Sequence, residues 1–275
     1  MPEPQPIRID LDAVLQSRLP RHYKYIPRFL VRWLENTICQ DRLNAMLKEC
    51  HGKRDAEFCR GVIEHLNISY TTDGAGLPSG SRVIIACNHP LGGLDGMILI
   101  DYVTRVYGMK PKFIVNDLLM AIEPLSGVFL PINKHGQQSR QASSDIERAM
   151  ESDAPVIIFP AGLVSRKGAD GTIADLQWQK SFVNMAVRFQ RDIIPTFFSG
   201  QNSKFFYNFA KLRTRLGLKF NVEMIRLPKE VFLSQGKNYT ITVGEPIPWQ
   251  SLANGSSARR QAEDIRNIVY NLSGK

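Results

Sequence analysis

Cysteine is scarce in this chain. Its 275 residues include four, Cys39, Cys50, Cys59 and Cys87. None forms a Cys-x-x-Cys pair, which excludes a disulfide framework at this length and predicts reduced thiols. Cys50 beside His51 lacks paired-ligand spacing, so no metal is expected. No uncharged apolar stretch approaches ~18 residues, which argues against a membrane-spanning helix. The opening MPEPQPIRIDLDAVL has neither a basic n-region nor an apolar h-region. No secretory signal is therefore expected, and the cytoplasm is the expected compartment. Internal repeats and low-complexity tracts are absent, which excludes collagen, coiled coil and disorder as descriptions of the whole chain. There is no phosphate loop of the G-x-x-x-x-G-K-S/T kind and no G-x-S-x-G elbow.

Acid is missing from two stretches of a chain that carries a net charge of +9. Between Ala13 and Leu34 there is none, while Arg18, Arg21, Lys24, Arg28 and Arg32 alternate with Tyr23, Tyr25, Phe29 and Trp33. Between Ile193 and Val222 there is again none, and Lys204, Lys211, Arg213, Arg215 and Lys219 accompany Phe205, Phe206, Tyr207, Phe209 and Phe220. Cations mixed with aromatics suit an anionic membrane surface, where rings insert at headgroup level. They also suit nucleic acid, where charge meets phosphate and rings stack on bases. A packed core with solvated charges has the same composition, and composition alone leaves all three open.

The hydrophobic pattern changes once along the chain. IPRFLVRWLENTICQDRLNAMLKEC and RDAEFCRGVIEHL keep helical spacing, so residues 1–66 are expected to form an N-terminal helical segment. TTDGAGLPSGS reads as a turn-rich break. From residue 67 to 275, short apolar runs (RVIIAC, KFIV, VFLPI, PVIIF, DIIPTFF) alternate with helical stretches such as SSDIERAMES and DLQWQKSFVNMAVRF. NYTITVG reads as a further strand, and SSARRQAEDIRNIVYNL as a closing helix capped by Ser256 or Ser257. The expected fold class is α/β, with a mostly parallel or mixed central sheet flanked by helices and buried on both faces.

In such sheets chemistry gathers where strands end. RVIIAC runs directly into Asn88-His89-Pro90-Leu91-Gly92-Gly93-Leu94-Asp95. A histidine followed by two glycines and an aspartate supplies a base and its orienter, and the glycines let a bulky substrate approach the backbone. A Gly-rich turn with a hydrogen-bonded histidine and an N-capping aspartate fits the same residues. PVIIF leads into Pro160-Ala161-Gly162-Leu163-Val164-Ser165-Arg166-Lys167, VFLPI into Asn133-Lys134, and DIIPTFF into Ser199-Gly200-Gln201-Asn202-Ser203. Together these strand ends offer a proton acceptor and cations able to hold an anionic head group. Lys180, in WQKSF, reads as a helix-surface residue.

These motifs, in this order, resemble those of the lysophospholipid acyltransferases, the 1-acylglycerol-3-phosphate acyltransferase superfamily. Asn88-His89 through Asp95 resembles the first motif, Gly127 to Lys134 (GVFLPINK) the second, Phe159 to Arg166 (FPAGLVSR) the third, and Ile194-Pro195-Thr196 the fourth. The resemblance covers roughly residues 80 to 200. Its wording is closest to the bacterial, hemolysin-like branch that acylates lyso-ornithine and related amino-acid lysolipids. Five residues separate His89 from Asp95 where the family places four, leaving Gly92-Gly93 to absorb the extra one. Lys134 stands where arginine is usual, and Ala161 and Leu163 replace the glutamate and threonine of the third motif. These last changes favour a head group other than glycerol phosphate.

The resemblance implies a fatty acyl transfer with no covalent enzyme intermediate and no cofactor. His89 would deprotonate the hydroxyl of a lysolipid acceptor, which attacks the thioester of an acyl carrier protein or coenzyme A donor. Asp95 would orient His89, and backbone N–H groups near the Gly-rich turn would stabilise the oxyanion. Asn88, Gly92, Gly93, Lys134, Gly162, Ser165 and Arg166 would bind substrate, with Lys134, Arg166 and Lys167 as candidates for the head group. A lysolipid comes from a bilayer, so the resemblance turns the basic aromatic stretches toward an anionic membrane at the inner face of the cell membrane and away from nucleic acid. A lipid ester hydrolase using the same dyad, or a basic nucleic-acid-binding module, are the alternatives.

Overall fold

The computed structural model describes residues 7–116, 122–132, 137–217 and 221–274. Four helices lead: α1 (Leu11–Arg18), α2 (Arg28–Ile38), α3 (Gln40–Glu49) and α4 (Asp55–His65). Strands β1 (Ser69–Gly74) and β2 (Val83–Cys87) precede α5 (Leu94–Tyr107). Next come β3 (Lys112–Asn116), β4 (Phe129–Ile132), α6 (Gln137–Glu151), β5 (Val156–Ile158) and the short hairpin β6 (Arg166–Lys167) and β7 (Ile173–Ala174). The chain continues through α7 (Ser181–Arg188), β8 (Asp192–Phe198) and α8 (Lys204–Arg215), then a 3-10 helix at Val222–Arg226. It closes with α9 (Leu227–Leu233), β9 (Asn238–Val243), α10 (Trp249–Ala253) and α11 (Ala258–Asn271).

Seven strands form one sheet in the order β1-β9-β8-β2-β5-β3-β4. The five from β8 to β4 are mutually parallel, whereas β9 pairs antiparallel with β8 and carries β1 alongside it. This is the mixed, mostly parallel sheet that the apolar runs predict. Strand β2 explains why: all five of its residues are buried. Val83, Ile85 and Cys87 join a core layer with α3, α4 and α5, while Ile84 and Ala86 join a second layer with α6, α7 and α11. Successive side chains of a strand alternate faces, so a central strand covered on both sides must be apolar throughout.

Three expectations need correction. The turn-rich break contains a strand, because Ser69–Gly74 pairs in parallel register with Asn238–Val243. It is an exposed edge held by backbone pairing and carries no apolar run to announce it. DLQWQKSFVNMAVRF becomes helical only from Ser181, since Asp175 and Trp178 turn their side chains into the protein and bond each other. Ser257 occupies the N-cap of α11 without a side-chain capping bond. The core also crosses residue 66: Met46 of α3, Cys50 at its C-cap, and Phe58, Cys59 and Val62 of α4 pack in the same layer as β2 and α5. All four cysteines are free, and burial pushes the Cys59 and Cys87 thiols well up, toward inertness.

One charged residue holds the far side of the sheet. Arg191, fully buried, donates from Nε to the Met150 carbonyl (2.8 Å), from Nη1 to Ala154 (2.8 Å) and Val83 (3.3 Å), and from Nη2 to Ala149 (3.0 Å) and Ser152. Three of these carbonyls lie at or just beyond the C-terminus of α6, where helix carbonyls lack intrahelical donors.

Candidate active site

The central strand β2 delivers His89 to the carboxyl edge of the sheet, with β8 and β5 on either side. His89 Nδ1 lies 2.9 Å from Asp95 Oδ2. Asp95, in the first turn of α5, is fully buried and also accepts N–H bonds from Leu91 (2.9 Å), Gly93 (3.0 Å) and Gly96 (2.9 Å), with Gly92 at 3.4 Å. The extra residue between the two is taken up at Gly92, whose φ of +80° turns the backbone inward. A side chain there would also collide with Val164 and Leu227. The amides of this turn therefore hold the Asp95 carboxylate, and are not directed at an oxyanion as the sequence suggests.

Burial pushes the Asp95 carboxyl upward, but the neighbouring His89 ring and the backbone donors outweigh it, so Asp95 is held below its ordinary 3.8. Such a lowered group contributes stability above its unfolded value and loses it as pH falls through the folded one. The stability gap between the parent and Asp95→Asn, read from urea midpoints, is therefore expected to be full at about pH 6 and to shrink in acid below its ordinary value. A gap that is independent of pH would mean that Asp95 is not ionised in the native state.

With Nδ1–H directed to Asp95, His89 presents Nε2 as the acceptor. The imidazole stacks on Phe159 at 4.0 Å between ring centroids and 20° between planes. Beside it opens a chamber of about 200 Å³, lined by His89, Gly92, Gly93 and Gly162. The same chamber is walled by Gly96, Met97 and Ile100 of α5, by Phe113 and Phe129 of the sheet, and by Leu125. His89 thus sits at the wall of a mostly apolar cavity.

The other expected site residues are differently disposed. Asn88 is buried, its amide bonded to the Phe198 carbonyl (3.0 Å) and N–H (2.7 Å), which pins the end of β2 to β8. Ser165 is buried, with Oγ 2.6 Å from Asp175 Oδ1. Arg166 reaches Glu223 Oε1 at 2.9 Å, while Arg213 Nε lies 2.9 Å from Oε2 of the same fully buried carboxylate. Two arginines thus share the one Glu223 carboxylate. Lys167 is exposed, and Lys134 lies outside the described residues.

Asp175 and Glu223 are absent from the sequence reading. Glu223 carried a faint signal, as the acid that ends an acid-free stretch rich in cations. Asp175, within IADLQW, carried none.

The two basic aromatic stretches both reach one element. Helices α2 and α8 both pack against the 3-10 helix Val222–Arg226, whose Met224 lines the chamber. Tyr25, Phe29 and Trp33 are 73, 74 and 56 % exposed on one side, and Phe205, Leu212 and Leu216 are exposed on the other. Among the described residues no helix is long and apolar enough to cross a membrane.

A histidine–aspartate pair at the end of a parallel strand opens into an apolar chamber. A family model described as "Acyltransferase" matches residues 13–275, and the chain belongs to that family as an O-acyltransferase of lipid biosynthesis, using a lysolipid acceptor and an acyl donor. Lyso-glycine lipid O-acyltransferase from Bacteroides thetaiotaomicron is 40 % identical over 96 % of this chain and 97 % of its own length. The Phocaeicola vulgatus protein of the same name is 38 % identical over 96 % and 95 %. The solved 1-acyl-sn-glycerophosphate acyltransferase PlsC from Thermotoga maritima aligns over 95 % of this chain and 87 % of its own, at 15 % identity and a TM-score of 0.49.

Proposed function

We propose that the enzyme esterifies the hydroxyl of a lyso-glycine lipid with a fatty acyl group from an acyl carrier protein or coenzyme A thioester. His89 Nε2 takes the hydroxyl proton as the oxygen attacks the thioester carbonyl. A C–O bond forms, the C–S bond breaks, and the imidazolium returns the proton to the leaving thiolate. Asp95 holds the imidazole in the required tautomer, and the fatty chain occupies the apolar chamber. The observation that carries this reading is the His89–Asp95 pair opening on that chamber.

A glycine head group is supported by the names of two relatives that align along nearly the whole chain. Ala161 and Leu163, in place of the family's acid and threonine, agree with an acceptor other than glycerol phosphate. The test supplies palmitoyl-carrier protein or palmitoyl-coenzyme A with lyso-glycine lipid, lyso-ornithine lipid or lysophosphatidate in mixed micelles, read by mass spectrometry. Diacylated glycine lipid is the expected main product. Preference for either other acceptor would replace the head group, and free fatty acid without acceptor would make the enzyme a hydrolase.

The exposed aromatic faces of α2 and α8 beside the chamber support a peripheral attachment to the cytoplasmic side of the cell membrane. Rings at headgroup level add an apolar attraction that salt does not screen, and the cations add about 1 kcal/mol each near an anionic surface. Phe29→Ser with Trp33→Ser is expected to move the protein from the pellet to the supernatant of anionic liposomes, even at low salt. Activity on micellar acceptor should remain. Unchanged pelleting would remove α2 from the membrane contact.

A further inference from the structure

We infer that Asp175 is a positioning residue for the reaction, acting by clamping the backbone from which His89 hangs. The loop Asp175–Lys180 lies far from His89 in sequence, yet Asp175 Oδ1 accepts the His89 N–H at 3.2 Å. The same oxygen accepts the Ser165 hydroxyl at 2.6 Å. Ser165 in turn donates its own N–H to the His89 carbonyl at 2.8 Å. Both backbone polar groups of His89 are therefore tied into one ring with Asp175 and Ser165. Asn88, the preceding residue, is pinned to β8. Asp95 fixes the rotation of the imidazole, whereas Asp175 fixes the position of the residue that carries it.

The placement of the carboxylate argues for this role over general packing. Asp175 is 4 % exposed. Its donors are neutral: the His89 N–H, the Ser165 hydroxyl and, on Oδ2, the Trp178 indole N–H at 3.0 Å. The nearby Arg266 guanidinium goes to the Asp175 backbone carbonyl at 2.8 Å, not to the side chain. Burying a carboxylate among neutral donors is costly, and two of the three donors belong to segments that line the chamber or carry the base. Burial raises the Asp175 carboxyl, with the three hydrogen bonds pulling it back, so the group stays where it is at an energetic cost.

The role is separable from stability by three substitutions. Asp175→Ala removes both ties to the His89 segment, and a displaced base is expected to lower kcat ~100-fold while leaving KM for donor and acceptor within about threefold. Asp175→Asn keeps an acceptor oxygen for His89 and Ser165 but sets an N–H against the Trp178 indole. It is expected to lose as much Tm as Asp175→Ala while keeping kcat within about fivefold. Trp178→Phe removes only the third bond and should leave kcat within about twofold. Loss of kcat that tracks loss of Tm across the three would make Asp175 a packing residue and overturn the inference, as would an Asp175→Ala enzyme with near-parental kcat. If Asp175→Ala does not fold, Asp175→Glu keeps the charge but displaces it by a methylene. A fall in kcat of ~10-fold supports the clamp, and retention of parental kcat sinks it. The inference rests on His89 as base, and His89→Ala separates the two: an active His89→Ala enzyme removes the base, whereas an inactive one beside an active Asp175→Ala enzyme removes only the clamp.

Discussion

Purified His89→Ala enzyme is expected to transfer acyl groups at least ~100-fold more slowly than the parent, with little change in Tm. The imidazole touches Phe159 on one face and Asp95 on its edge, and it faces the chamber without filling the core. Its removal therefore leaves the packing of β2 and α5 in place. The remaining cost is a buried Asp95 carboxylate without the imidazole N–H, but four backbone N–H groups still surround it. Turnover above about a tenth of the parent's would reassign the base. Asp95→Asn should also impair transfer, because an amide nitrogen facing Nδ1–H cannot hold the required tautomer. Parental activity would give that role to another carboxylate.

Arg191→Met is expected to be the most destabilising single change, at about 3–5 kcal/mol. Methionine fills a similar volume, so the loss comes from carbonyls left without donors in a dry environment. Those of Ala149, Met150 and Ser152 belong to the end of α6, and Val83 opens the central strand. Burial pulls the Arg191 guanidinium down to about 10, which still leaves it charged at neutral pH. For a chain of this length the change corresponds to a Tm lowered by roughly 10 °C. A Tm within a degree or two of the parent's would mean that water reaches those carbonyls. Activity per folded molecule should be preserved, since Arg191 lies on the opposite side of the sheet from the core layer that contains α5.

The parts of this fold that could be read from the sequence are those where burial forces a residue type. Strand β2 must be apolar at every position because both faces are covered, and RVIIAC declares it. His89 and the Gly92-Gly93 pair stand out by their place directly after that strand, although a structural turn fits the same residues. The unread parts depend on partners distant in sequence. Strand β1 exists through its register with β9, and its own residues are those of a solvated turn. Asp175 looked like an ordinary position in a helical stretch, because nothing within IADLQW records that His89 and Ser165 lie against it. Ser165 and Arg166 were found as polar residues after a strand. Their partners, Asp175 and Glu223, decide what they do, and those come from 10 and 57 residues away.

Helix α5 begins with the carboxylate bonded to His89 and continues as a wall of the chamber through Gly96, Met97 and Ile100. Asp95 and Ile100 are about 7.5 Å apart along one rigid axis. Under the proposed function, chain recognition and proton transfer share a single frame of reference: a displacement of the helix by an ill-fitting chain would also displace the carboxylate. Under that same function, a poorly matched acyl chain would be rejected in the chemical step as well as in binding, and fidelity for chain shape would be read in turnover.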